Sequence, residues 1–228
     1  DATLNAATSI AVTASLTAGR DAVLSAIGGN IDIAWLSAGG LRLSSSASLT
    51  LGTLVSTLGA IALTSTGGSI DATEITAAGD VTLTAAGAIR VAQTLSAGGA
   101  ATAAAGGVLE IDRLEAGTTA TLTAAGAATL GEGTTLAGDL TLRSIGGDVT
   151  AQALRAAASL RVDAAGAITV PVLDAGRDLV LSAGGALRTE QAEARGGDLG
   201  ATVGSAVATR LASSGNLALS GSGRLDLG

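Results

Sequence analysis

Residues 79–97 read GDVTLTAAGAIRVAQTLSA, and the same pattern begins again at Gly98. In VTLTA, which starts at Val81, apolar residues alternate with threonines, and this two-residue period is typical of a strand. Two further alternating segments follow, IRV from Ile89 and LSA from Leu95. We therefore predict three short strands in each repeat, joined by corners.

The repeat extends along nearly the whole chain. An aliphatic residue near its end recurs at a mean spacing of about 19.5 residues. The members of this column are Leu16, Leu36, Val55, Ile75, Leu95, Leu114, Leu136, Leu154, Leu173, Ala192 and Leu211. Two columns of glycine run in step with it, one through Gly79 and the other through Gly87. Alanine favours helix, but glycine at two or three points in each repeat leaves no helical run of useful length.

A unit of three short strands has no interior of its own, so successive units must stack to bury their apolar side chains. The sequence predicts an all-β fold, a right-handed single-stranded parallel β-helix (solenoid) of about 11–12 coils. Residues 1–228 would form a single repeat domain with a dry bore of Ala, Val, Leu and Ile. Glycine is expected to provide positive φ or a tight corner.

The composition excludes several classes of function. The chain has no Cys and no His, which removes thiolate and imidazole zinc sites, haem ligation and Ser-His triads. Its single Trp and its formal net charge of −7 argue against nucleic acid as a partner. Mean hydropathy is +0.55, but no stretch approaches the run of about 20 apolar residues that a spanning helix needs. We predict no membrane span.

Residues 138–142 (GDLTL) and 176–185 (GRDLVLSAGG) resemble the shaft repeats of filamentous haemagglutinin-type adhesins. These are large exoproteins of the two-partner secretion route in Gram-negative bacteria. The resemblance implies an outer-membrane two-partner-secretion transporter as partner, a secreted or cell-surface location and a role in virulence. It also implies that the chain is an interior segment of a longer shaft, since the family's Asn-rich secretion domain is not visible.

One column of acidic residues lies beside the glycines. It contains Asp21, Asp80, Asp139, Asp178 and Asp198, at separations close to whole multiples of the repeat. Stacked carboxylates could form a calcium ladder. The intervening coils place Gly or Thr in this column, however, so we predict that each Asp closes a turn and that no metal is bound.

A second, outward column carries both signs of charge. It runs through Asp32, Asp71, Arg90, Glu110, Thr129, Thr150, Thr169 and Arg188. Arg90 and Glu110 should lie on successive coils about 4.8 Å apart and form a cross-strand ion pair. Each exposed ion pair contributes about 0–1 kcal/mol to stability. We therefore expect this column to help fix the register of the coils and to keep the protein soluble.

The densest charged cluster consists of Glu190 and Glu193 with Arg188 and Arg195. Cleavage of a carbohydrate on a β-helix would need clustered carboxylates and enclosing loops. The near-constant repeat length leaves no room for a lid. We predict a solvated corner, no enzyme activity, and no catalytic, cofactor-binding or metal-binding residues.

Two single residues stand out from the repeat. Trp35 is expected to point outward or to cover a corner, because residues 30–38 are one residue shorter than the template. Pro171 removes a backbone donor from the second strand, which predicts a bulge or a shift in pairing there.

Together these features predict a structural shaft of a secreted bacterial surface adhesin, which gives length and rigidity for cell attachment. The alternative is a β-helical carbohydrate-binding or carbohydrate-degrading module, with glycans or a host-cell surface as the ligand. Unpaired strands at exposed terminal coils also predict end-to-end self-association.

Overall fold

The computed structural model describes the backbone of residues 1–227 and the side chains of residues 1–226. All regular structure in this range is strand, so it contains no helix that could cross a membrane. The chain divides into two compact units, Asp1–Ala116 and a second that starts at Gly117. Each unit is a parallel β-solenoid of six coils, which confirms the predicted fold class. The right hand of the coil stays a prediction.

The first unit is built from strands β1 to β12. They are β1 (Ala2–Ala6), β2 (Ile10–Thr17), β3 (Ala22–Ala26), β4 (Ile31–Ala38), β5 (Leu41–Ser45), β6 (Leu49–Ser56), β7 (Ile61–Ser65), β8 (Ile70–Ala77), β9 (Val81–Ala85), β10 (Ile89–Ala97), β11 (Ala101–Ala105) and β12 (Leu109–Ala116).

The second unit contains the remaining strands. They are β13 (Ala120–Ala124), β14 (Ala128–Thr135), β15 (Leu140–Ser144), β16 (Val149–Ala156), β17 (Leu160–Ala164), β18 (Ile168–Thr169), β19 (Val172–Ala175), β20 (Leu179–Ala194), β21 (Leu199–Ser213), β22 (Leu217–Gly221) and β23 (Leu225–Leu227).

Most coils contain two strands rather than the three predicted. The first has five residues and buries positions one, three and five, as in β9. The second has eight residues and buries positions one, three, six and eight, as in β12. The step from position three to position six shows where the second strand bends. The predicted second and third strands are thus two arms of one bent strand, because the backbone continues through the bend without a break.

The repeat at residues 79–97, from which the pattern was defined, is itself the exception in length. β10 has nine residues, whereas β4, which contains Trp35, has the eight residues found in most coils. The extra residue of β10 lies in the bend, where its pairing with β8 shifts register between Val91 and Leu95. Residues 30–38 are thus one residue shorter than the template, as predicted, but their length is the usual one.

Aliphatic ladders fill the interior, as predicted. In the first unit Leu24, Leu43, Leu63 and Leu83 lie in register on successive coils, and each is at most 1% exposed. Parallel pairing places each side chain about 4.8 Å from its equivalent. Burial of such side chains contributes about 1.5–3 kcal/mol each, so the stability of each unit is spread along its coils.

Two members of the predicted aliphatic column were wrong. Leu54, not Val55, pairs with Leu36 and Ile75. In the second unit Gly133, not Leu136, is the partner of Leu154, and Leu136 is 72% exposed on a corner. The side chains of Leu130 and Leu154 approach to about 3 Å of where a Cβ of Gly133 would be, and so fill the space that a leucine would occupy.

The glycines at the corners act through space rather than through φ. No glycine in the described residues has positive φ, so that part of the expectation was wrong. At Gly98, Gly106 and Gly176, an added Cβ would collide with a backbone carbonyl oxygen of the preceding coil. Glycine is needed there because the corners of successive coils approach more closely than any side chain allows.

Candidate functional site

The outward charged column forms the predicted ion pair in the first unit. Arg90 Nε donates to Glu110 Oε2 at 2.9 Å, and Arg90 Nη1 lies 3.5 Å from Asp71 Oδ1. The hydrogen bond to Glu110 and its negative charge raise the pKa of Arg90, and Asp71 adds to this effect. The three side chains are 43–50% exposed, so solvent screens the pairs. This arrangement can hold register, but it presents no reactive group.

One residue of that column was missed. Thr50 lies in register between Asp32 and Asp71, so the two carboxylates are two coils apart rather than neighbours. The shorter spacing between Ile31 and Leu49 explains the omission, because it places Thr50 earlier than a constant repeat predicts.

The acidic column joins coils instead of closing turns. Asp80 Oδ1 accepts a hydrogen bond from Ala100 N at 2.8 Å, one coil further along. Asp139 and Asp178 accept in the same way from Ser159 N and Asp198 N, at 2.9 and 3.0 Å. The predicted local turn closure was therefore wrong at these positions. Each of these three carboxylates has a structural partner in the next coil.

Sequence reasoning also missed a second column of such acceptors at the other corner. There Asn30 Oδ1 accepts from Ser48 N at 3.1 Å, and Ser48 Oγ accepts from Ser69 N at 3.2 Å. Asp148 Oδ1 accepts from Ala167 N at 2.7 Å. The Gly-Asp pair at 147–148 repeats the one at 79–80, and this signal could have identified Asp148.

Buried hydroxyls fasten the corners as well. Ser56 Oγ donates to Gly39 O at 2.7 Å, and Ser144 Oγ donates to Gly126 O at 2.7 Å. Both serines occupy positions that are usually alanine in the repeat. Among the described residues that are not exposed, every buried side-chain nitrogen or oxygen has a hydrogen-bond partner. No orphaned polar group therefore marks an internal site.

The cluster around Glu190 does not assemble as one group. Arg195 pairs with Asp174 of the preceding coil, and Glu193 Oε2 accepts from Gln191 Nε2 at 3.2 Å. No ion pair in the described part of the chain joins Arg188 to a carboxylate of this cluster. Nor do those residues include any group of three or more side chains that could hold a metal ion.

The contacts of Trp35 and Pro171 are those of structural residues. Trp35 is half-buried and lies in register between Ser15 and Thr53. Pro171 separates β18 from β19, which confirms the predicted disturbance of the second strand. Its carbonyl oxygen accepts hydrogen bonds from Glu190 N and Gln191 N at 3.0 and 2.8 Å. The next coil thus remains bonded at the interruption.

A shallow groove of about 640 Å³ lies on the outer face of the second unit. It crosses β13, β15, β17 and β20, and its charged residues are Arg143, Arg161 and Asp163. Sequence reasoning did not identify it. The three charges are two residues or one coil apart, and only the observed register places them together.

The comparison with protein families gives one match. Residues 1–53 and 172–227 match the family model of the haemagglutinin repeat. These two stretches, which together make up just under half of the chain, are similar to haemagglutinin repeats. The match confirms the resemblance to filamentous haemagglutinin-type shaft repeats. Comparison with curated proteins and with solved structures gives no match.

The residues between the two matched stretches have the same local structure as the matched stretches. β7 to β18, which lie between residues 53 and 172, have the same short and bent strands as the matched coils. The family suggests an adhesin-type shaft, which is a structural role and not an enzymatic one.

Proposed function

We propose that this chain is a structural segment of the shaft of a secreted bacterial adhesin, and that it gives length and rigidity for attachment to cells. The observation that carries the proposal is the near-constant length of the coils. Paired residues on successive coils are 18 to 21 positions apart, as at Ile31–Leu49 and Leu49–Ile70. Such coils have no insertion from which a lid or a catalytic loop could form.

The similarity to haemagglutinin repeats supports a route of export as well as a structural role. We propose that export uses an outer-membrane transporter of the two-partner secretion type and that the protein acts outside the cell or at its surface. We also propose that residues 1–228 form one repeat domain, because corners in both units use the same kind of hydrogen bond, as at Asp80 and Asp139. We further propose that the segment associates end to end through the unpaired strands of its terminal coils.

Export can be tested by fusing residues 1–228 behind a two-partner secretion signal domain and expressing the fusion with its transporter. The expected result is protease-accessible repeat at the cell surface. A matched fusion with Leu83→Asp, which disrupts the buried ladder, controls for folding. Retention of the unaltered fusion inside the cell would contradict the proposed route.

The passive role of the shaft can be tested separately with purified protein on host-cell monolayers and glycan arrays. A shaft that carries recognition elsewhere should show no saturable binding to cells. Binding abolished by Trp35→Ala or by Arg188→Ala with Arg195→Ala would instead support a receptor-binding module. We do not propose carbohydrate cleavage, because Glu190 and Glu193 face no enclosing loop.

A further inference from the structure

The groove on the second unit is formed by two parallel rows of outward side chains. One row contains Thr121, Thr141 and Arg161, in register on successive coils. The other contains Thr123, Arg143, Asp163 and Ser182. Ile145, which is 53% exposed, rises beside these rows from the corner after β15, and Ala165 lies next to it along the wall. The groove thus combines hydroxyl groups, charge and one apolar wall.

The charges of the groove do not cancel. Asp163 accepts from Arg161 through both oxygens, at 2.7 Å from Nε and 3.1 Å from Nη2. This bidentate pair neutralises Asp163, whose side chain is only 19% exposed. Arg143 is the register neighbour of Asp163, but it forms no ion pair with any described residue. A positive charge therefore remains in the groove of a protein whose net charge is −7.

An uncompensated guanidinium between threonine hydroxyls suits a carboxylate. Arginine presents paired N–H donors that match the two oxygens of a carboxylate, and hydroxyls beside it can donate to the same group. Thr123 and Thr141 are the nearest hydroxyl-bearing neighbours of Arg143 in the two rows. Ile145 can contact the aliphatic part of the ligand that carries the carboxylate.

We propose that this groove binds an extended acidic peptide segment, with one side-chain carboxylate on Arg143. The groove crosses four strands, which at about 4.8 Å spacing gives about 14 Å, or about four residues of extended chain. A neutral sugar is a poorer match, since the lining residues include no aromatic ring on which it could stack. This inference does not rest on the shaft function, and the export assay above is independent of it.

The test is an NMR titration of the full chain, labelled with ¹⁵N, with the peptide acetyl-Ser-Glu-Val-Ser-amide. The expected result is saturable shifts at the amides of Thr141, Arg143 and Ile145. Arg143→Ala should weaken binding by at least about tenfold, because it removes a charge-assisted pair. Arg143→Lys should recover only part of the affinity, since lysine cannot form the bidentate contact.

Two matched controls separate a specific site from general attraction to arginine. Arg188→Ala removes an exposed arginine outside the groove and should change the affinity by less than about twofold. The peptide with Gln in place of Glu should bind at least about tenfold more weakly. Equal binding of the two peptides, no effect of Arg143→Ala, or tighter binding of sodium glucuronate at Arg143 would each overturn the proposal.

Discussion

At the scale of single residues, this fold depends on how closely its corners approach one another. A Cβ on Gly99 would collide with Asp80 Oδ1, the atom that accepts the hydrogen bond from Ala100 N. Gly197 has the same relation to Asp178. At these two corners the acceptor oxygen occupies the space of a Cβ, so the glycine and the acceptor are coupled. Asp139 forms the same bond beside Ala158, so glycine is not required at every such corner.

Gly99→Ala should lower the free energy of unfolding by about 1–3 kcal/mol, because it displaces Asp80 and leaves Ala100 N without its partner. The matched control is Gly200→Ala. No atom lies within 4 Å of an added Cβ at Gly200, so this change should stabilise the protein by about 0.4–1 kcal/mol. Urea denaturation measures both, and equal effects of the two variants would contradict the steric explanation.

The acidic residues show which part of a hydrogen bond can be predicted from the nearby sequence and which part cannot. The sequence pattern identified the column that contains Asp80 and Asp139, and it correctly predicted that these carboxylates bond to the backbone. It assigned them to their own turns, because Asx turns are the usual local explanation. The true donors, Ala100 N and Ser159 N, are 20 residues away, and only the observed register brings them near.

At the scale of strands, stability comes from the aliphatic ladders. Leu83→Ala should cost about 2–5 kcal/mol, because Leu83 is fully buried between Leu63 and Ala103. The control is Leu136→Ala, which should change stability by less than about 0.5 kcal/mol, since Leu136 is 72% exposed. Thermal unfolding measures both variants. A large loss at Leu136 would restore the column first predicted from the sequence.

The ion pairs of Arg90 make a smaller contribution with a defined pH dependence. Arg90→Ala should reduce stability by about 0–1 kcal/mol. A raised pKa means that the contribution is present below the ordinary pKa of arginine and is lost only as the pH rises through the higher value in the folded protein. The difference between wild type and Arg90→Ala should thus be constant from about pH 7 to about pH 10. A difference that falls across this range would contradict the assignment.

Strand positions were predictable where the period was regular and not where it changed. The alternation around Val81 and Leu83 located β9 within a residue, because a half-buried strand has a period of two. The bend of the second strand breaks that period, so one bent strand was interpreted as two. The aliphatic column failed at Gly133 because its neighbours Leu130 and Leu154 fill the space from other positions.

At the scale of the whole molecule, whole coils are the units of the fold. Deletion of residues 81–100 removes β9 and β10 and leaves the side chains on both sides in register, since Val81 and Ala101 are equivalent. The shortened protein should keep a strand-type circular dichroism spectrum and have a smaller denaturant m value, because less surface is exposed on unfolding.

Deletion of residues 81–90 is the matched control. It removes β9 and only the start of β10, which places the remaining arm of the bent strand against the wrong partner. This variant should unfold or aggregate. Equal folding of both variants would indicate that stacking in register is not what holds the solenoid together.

The sequence could not predict the groove around Arg143, because the groove depends on how successive coils lie against one another. Arg161 and Asp163 are two residues apart, but similar short spacings of charge occur elsewhere, as at Arg113 and Glu115, and Arg143 is one coil away from Asp163. What distinguishes the groove is that Asp163 satisfies one arginine and leaves the other uncompensated. That depends on geometry, which the sequence pattern does not contain.

The stacking of coils in register is tested most directly by a disulfide between partners on successive coils. Thr82 and Thr102 are register partners, and a spacing of about 4.8 Å suits a disulfide. The chain has no Cys, so Thr82→Cys with Thr102→Cys should oxidise to one intramolecular bond, detectable by mass spectrometry of the digest. Thr82→Cys with Ala104→Cys, two residues out of register, should not form the bond. Cross-linking of the second pair instead of the first would contradict the parallel β-solenoid.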